Sequence, residues 1–185
     1  KFIARYPAGH AGFCMELIQG ENGSWVGHQE FFEALIAVCK ESNISVMIDE
    51  VQTFARTKEL FTFQYFKLDK LVDVVTVGKN SQVCATFFND EHKPKPGLVS
   101  QTFTGASSQI AAAHYVVNEM INGGYLGENG KIEKLHACFK GNLEKLAKKH
   151  ADKVKGPYGI GAMVGMTCFN GDEAKTKAFT IKLFE

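Results

Sequence analysis

A chain of 185 residues, 45% hydrophobic and 22% charged, has ordinary globular composition and is long enough for one domain or one and a half. It excludes a disordered chain, and no apolar run approaches the about 18 residues of a membrane span. Lys+Arg 21 against Asp+Glu 20 leaves a formal charge of +1, which argues against a nucleic-acid protein held by a basic face.

Gly12 to Ile18 reads as a mostly apolar strand, ended by the turn Gly20-Glu21-Asn22-Gly23. A helix follows from about His28 to Glu41, with Phe31, Phe32, Leu35, Ile36, Val38 and Cys39 on one broad face. Ile44 to Ile48 is the next strand, and its near-continuous hydrophobicity predicts burial on both faces. It stops at Asp49-Glu50. Glu59 to Phe66 reads as a short helix, Val72 to Val77 as a strand ending at Gly78-Lys79, and Val83 to Phe88 as one more strand. Strand, helix, strand, helix, strand is the pattern of a mostly parallel α/β sheet flanked by helices. An alanine-rich helix then runs from Ser107 to Asn122, read as close helix packing. A charged amphipathic helix covers about Glu128 to His150, with Ile132, Leu135, Phe139, Leu143 and Leu146 at three- and four-residue steps. Composition and period change at the glycine-punctuated segment beyond it. That places a boundary near Lys153, with 1–152 in one domain and 153–185 at the start of another.

Cysteines at 14, 39, 84, 138 and 168 form no C-x-x-C, which predicts reduced, mostly core thiols in a cytoplasmic compartment. The six histidines have no metal-ligand spacing, so no metal site is expected. Trp25 and the phenylalanines read as packing residues, and the charge run Lys145 to Lys155 as a solvated helix end. Nothing at the start reads as a signal peptide, and Lys1 stands inside what looks like structured sequence, so the chain reads as a piece of a longer protein.

In a parallel α/β sheet, ligands bind beyond the carboxyl ends of the strands. Glu21, Asp49 and Lys79 fall there, after the first, second and third strands. A carboxylate at the end of a buried strand gains from a cationic partner, and a lysine there can serve as nucleophile or proton shuttle. Gly78-Lys79-Asn80-Ser81 has the look of a phosphate-binding loop, but Asp73 stands where that loop needs glycine and Asn80 where it needs Ser or Thr. An NTPase is therefore rejected. Pyridoxal phosphate chemistry fits better, because it needs a lysine for a Schiff base and an acid against the pyridinium nitrogen.

The resemblance is then specific. Glu16-Leu17-Ile18-Gln19-Gly20-Glu21-Asn22-Gly23 resembles the E-P-I-Q-G-E-G-G segment of the class III (omega-amino acid) aminotransferases, enzymes of fold type I. Asp49-Glu50-Val51-Gln52-Thr53 matches their D-E-V-Q-T, with Arg56-Thr57 following. Asp73 to Lys79 matches the strand leading into the cofactor lysine, and Gln101 to Gly105 resembles T-F-G-G-N-P. The resemblance implies the central part of the large cofactor-binding domain plus the start of the small C-terminal domain. It implies that Lys79 forms the Schiff base with pyridoxal 5'-phosphate and that Asp49 pairs with the pyridine nitrogen. Val51 would pack on the ring and Gln52 would approach its phenolic oxygen. Thr102 would bind the phosphate of a neighbouring subunit's cofactor, which implies a homodimer sharing its active sites. Glu21 would be the gating acid of the substrate site.

Leu17 replaces the family's usual proline, and Phe54 stands where glycine normally follows D-E-V-Q-T. After Lys79, Asn80-Ser81-Gln82-Val83-Cys84 replaces A-L-G-G-G and is similar to the lysine 6-aminotransferase subgroup. The family's phosphate turn, ring-stacking aromatic and carboxylate-binding arginine have no counterpart in these residues. The implied reaction moves an amino group from an omega-amino donor such as lysine or ornithine to a 2-oxo acid such as 2-oxoglutarate. A racemase, aminomutase or decarboxylase of the same family, or a non-catalytic scaffold, stays open. Neither nucleic acid nor membrane is an expected partner.

Overall fold

The computed structural model of the chain describes residues 1–99 and 105–185. A single helical turn, α1 (Phe2–Arg5), precedes β1 (Gly12–Met15), β2 (Ile18–Gln19) and β3 (Trp25–Val26). Then come α2 (Gln29–Glu41), β4 (Ser45–Glu50), α3 (Thr62–Tyr65), β5 (Val74–Val77) and β6 (Ala85–Phe88). The chain continues through α4 (Ser107–Asn122), α5 (Lys131–Lys149), β7 (Val154–Ile160), β8 (Met163–Cys168) and α6 (Glu173–Phe184).

The main sheet has the order β1-β4-β5-β6. β1 and β5 both run parallel to β4, with Cys14 beside Met47 and Asp49 beside Thr76. This is the mostly parallel α/β sheet the sequence predicts. β6 runs antiparallel to β5, with Thr86 beside Thr76. Chain length explains the reversal: residues 78–84 alone join the two strands, and a parallel return takes about a dozen residues or more. The expected first strand is divided in two, because the chain turns at Glu16-Leu17 and Ile18 pairs with Val26 of β3.

Successive side chains on a strand point to opposite faces. On β4, Val46, Ile48 and Glu50 are buried, while Ser45, Met47 and Asp49 are half-buried. Burial on both faces, expected from the apolar run, is therefore corrected to burial on one. α2 covers that face with Phe32, Ile36 and Cys39, which recur at four- and three-residue steps. Val75, Val77, Leu17 and Leu68 complete the core, and each fully buried aliphatic side chain contributes about 1.5–3 kcal/mol. Phe32 meets Phe66 edge to face, their ring centroids 5.0 Å apart. Phe31 and Val38, expected on the same face, are exposed. The expected helix from Glu59 shrinks to the one turn Thr62–Tyr65, for a reason that lies at the site.

Of α4 only Ala113 is buried, and on α5 only Ile132, so the apolar stripes expected to pack are largely exposed. The thiols also differ from expectation: all five cysteines are free, but only Cys39 is buried. Cys14, beside Met47 on β1, is exposed.

Candidate active site

The carboxyl ends of the parallel strands β1, β4 and β5 lie on one rim, and the sequence-predicted residues follow them. Asp49 occupies the penultimate position of β4 on the open face. Its Oδ1 accepts from the Val51 amide at 2.9 Å and from the Thr76 hydroxyl at a long 3.5 Å. Its Oδ2 has no hydrogen-bond partner among the described residues. One oxygen orients the carboxylate and the other stays available.

Val51 and Gln52 open the turn that follows. Val51 lies on the backbone of Gly78, where an added Cβ would stand 3.2 Å from its Cγ1. Gly78 thus lets the valine approach the residue next to Lys79. Gln52 donates from Nε2 to Glu21 Oε1 at 2.6 Å, which joins the turn after β4 to the loop between β2 and β3. A side chain at Gly20 would displace the Gln52 amide, since its Cβ would lie 2.1 Å from Gln52 Oε1.

Lys79 is exposed and sits two residues past β5 with φ +51°, in the left-handed region that non-glycine residues rarely adopt. Such a conformation costs roughly 1–3 kcal/mol and persists where the surroundings enforce it. The next two residues supply restraint. Asn80 Nδ2 donates to the Phe54 and Ala55 carbonyls at 3.4 and 3.5 Å, and the Ser81 hydroxyl donates to Val83 O at 2.6 Å. Among the described residues no carboxylate forms an ion pair with Lys79. Thr102 lies outside the described residues.

Local pattern alone does not single out Glu50. It is fully buried, at 0% exposure, and accepts from the Thr62 and Phe63 amides at 2.7 and 2.9 Å and the Thr53 hydroxyl at 3.3 Å. Those amides begin α3, so the carboxylate fixes where that helix starts and explains its shortness. Burial pushes the Glu50 carboxyl above the usual carboxylate range, and the hydrogen bonds pull it only part of the way back. Strand parity is the signal that could have found it: of two consecutive acids on a half-buried strand, one must face the core.

The β7–β8 hairpin braces the same loops. Ala162 N donates to Arg56 O at 2.7 Å, and His136 Nδ1 lies 2.9 Å from Gly161 O. Gly161, at φ +56°, packs so close that a Cβ would fall 2.1 Å from Arg56 O. Trp25, though 54% exposed, stacks on Tyr158 with centroids 4.8 Å apart.

A carboxylate, an unpaired lysine, an amide and an apolar side chain thus share one strand rim, and the pattern of the family described as "Aminotransferase class-III" matches residues 3–184. The chain belongs to the class III aminotransferases. Acetylornithine aminotransferase of Caldanaerobacter subterraneus subsp. tengcongensis is 33% identical over 159 residues, covering 82% of this chain and 38% of that protein. The Aquifex aeolicus acetylornithine aminotransferase is 32% identical over 184 residues, 95% of this chain and 44% of its own length. Among solved structures, a lysine aminotransferase from M. tuberculosis in the internal aldimine form superposes with TM-score 0.78 at 25% identity, covering 90% of this chain and 39% of that one. Plasmodium falciparum ornithine delta-aminotransferase does so with TM-score 0.69 at 28% identity, covering 82% and 40%. The chain therefore spans about two fifths of the length of these relatives.

Class III aminotransferases depend on pyridoxal phosphate. The donor set of this class III chain fits the ring end of that cofactor. Among the described residues, Asp49 has a carboxylate oxygen without a partner, Lys79 has an amine without a carboxylate partner, and Val51 is apolar and lies between them in sequence, which are group types that the ring end of that cofactor takes.

Proposed function

We propose that the protein to which this chain belongs is an omega-amino acid aminotransferase, moving the terminal amino group of a lysine- or ornithine-like donor to a 2-oxo acid such as 2-oxoglutarate. The observation that carries the reading is that, among the described residues, Asp49 Oδ2 has no partner and Lys79 no carboxylate partner at the ends of neighbouring parallel strands. Pyridoxal phosphate, when bound, supplies an aldehyde carbon that takes up the amino group and a ring that withdraws electrons from the adjoining carbon.

The chain's own residues divide the remaining work. Lys79 would hold the cofactor through Nζ and would hold and move a proton at that nitrogen. Asp49 would present Oδ2 to the ring nitrogen and help to keep a proton there. Val51 covers part of one ring face and excludes water. Gln52 gives one N–H to Glu21 and keeps a second for the ring oxygen. Glu21, fixed by that bond, stands as the acid of the substrate gate, and its neighbourhood to Gln52 supports the assignment.

A lysine-like donor is supported by Asn80-Ser81-Gln82-Val83-Cys84 after Lys79 and by the likeness to a lysine aminotransferase. A homodimer, with Thr102 reaching the neighbouring subunit's phosphate, belongs to the same proposal. The exposed apolar side chains Ile110, Tyr115 and Ile121 of α4 support it as a surface to be covered. Residues 1–152 would form part of the cofactor-binding domain and 153–185 the start of the smaller one. We place the protein in the cytoplasm, supported by its five free thiols.

The full-length protein tests this in a steady-state assay of lysine, ornithine and acetylornithine as donors to 2-oxoglutarate. Turnover of at least one donor, abolished in Lys79→Ala, is expected. Equal turnover in the variant contradicts the assignment.

A further inference from the structure

Glu50 is a buried carboxyl group with no cation beside it among the described residues. Burying a carboxylate without a cationic partner is expensive, and apolar side chains of similar volume often serve a core equally well. Its partners show what it holds. Its side chain reaches from the end of β4 to the first two amides of α3, and its own carbonyl accepts from Phe54 N at 3.0 Å. Ala55 N donates to Leu60 O at 2.8 Å, and Thr62 Oγ1 lies 3.4 Å from Thr53 O, so the loop is cross-tied within itself. The loop so closed, residues 51–61, begins with Val51 and Gln52. Because neighbouring residues on a strand face opposite ways, fixing Glu50 inward also fixes Asp49 outward.

We propose that Glu50 is a positioning residue of the active site, whose buried carboxylate clamps the 51–61 turn so that Asp49, Val51 and Gln52 are held ready for the cofactor. The inference deepens the functional reading above and rests on it. Glu50 touches neither cofactor nor substrate and acts through the turn.

Two variants of the full-length protein test it. Glu50→Gln keeps one acceptor oxygen but sets an amide N–H2 against a backbone N–H. Thr62→Pro deletes one donor to Glu50 at the first position of α3, where proline is tolerated, and Phe61 before it is already extended. Asp73→Asn, at the opposite end of the sheet, is the control for loss of a buried carboxylate. Hydrogen exchange of residues 51–63 and the dissociation constant of pyridoxal phosphate are measured for each.

Both site variants should raise exchange across 51–63 at least tenfold and weaken pyridoxal phosphate at least tenfold, with β1 and α2 exchanging as in the wild type. Asp73→Asn should lower Tm and leave both readouts unchanged. Wild-type exchange and affinity in Glu50→Gln and Thr62→Pro would overturn the proposal, as would an affinity loss no larger than that of Asp73→Asn. If Glu50→Gln fails to fold, Thr62→Pro decides on the same two readouts. A wild-type protein that binds no pyridoxal phosphate sinks the functional reading by itself, and the exchange measurement then still decides whether Glu50 holds the turn.

Discussion

The two ends of the main sheet treat charge in opposite ways. At the amino end of β4 and β5, Asp73 is saturated: it is paired with Lys40, accepts from Val46 N at 2.8 Å and takes the Asn89 amide at 3.1 Å. His92 adds to this network through Ser45, 2.7 Å away, and Asn89. At the carboxyl end, among the described residues, Asp49 keeps one oxygen without a partner and Lys79 has no carboxylate partner, and Lys79 and Gln82 both hold left-handed backbone. The amino end satisfies its charges internally. On the proposed reading, the carboxyl end leaves them for a ligand, and the fold bears the strain.

Breaking the carboxyl end should have the larger effects on chemistry. Lys79→Ala removes the amine that attaches the cofactor and moves the proton, so transamination should fall by about 10⁴-fold or more. Asp49→Ala should slow the reaction by about 10²–10³-fold and weaken cofactor binding, on the scale of removing one charge partner of the transition state. Unchanged steady-state constants would remove Asp49 from the site. Glu21→Gln keeps the shape but takes the charge from the Gln52 bond, and kcat/KM for the amino donor should drop about tenfold. A drop confined to kcat with every donor would place Glu21 outside the substrate gate.

The smallest effects sharpen the comparison through pH. Burial pushes the Asp73 carboxyl up, but hydrogen bonds from Lys40 and Val46 and the charges of Lys40 and His92 outweigh it and hold it below 3.8. The folded protein thus binds this proton less readily than the unfolded one, so the stabilisation is present above 3.8 and is lost as pH falls through the folded pKa. Glu50, held above 4.5, has the opposite sign: stability declines as pH rises from 4.5 through its folded pKa. Thermal unfolding against pH should therefore lose part of its acid-side fall in Asp73→Asn and part of its decline above 4.5 in Glu50→Gln. Parallel profiles for the two variants would contradict the contrast between the ends.

Much of this was legible in the sequence, because β1, β4 and β5 are short apolar runs whose polar terminators fall at the ligand-binding rim. Glu21, Asp49 and Lys79 could be placed there by order alone, and the family resemblance put Val51 and Gln52 beside them. The reversal of β6 was not among the expectations, although residues 78–84 are too few for a crossover. The true start of α3 was not legible, because it is set by a carboxylate twelve residues earlier, and local periodicity carries no such contact. The one-sided burial of β4 was hidden for a related reason. Met47 is as apolar as its neighbours, and only the sheet shows which face it takes.

The most direct test of the cofactor site is the visible absorbance spectrum of the full-length protein with pyridoxal phosphate, recorded beside that of Lys79→Ala. We expect a protein-bound cofactor band in the wild type that survives gel filtration and is lost in the variant. The same band in both proteins, or in neither, would contradict the assignment of Lys79.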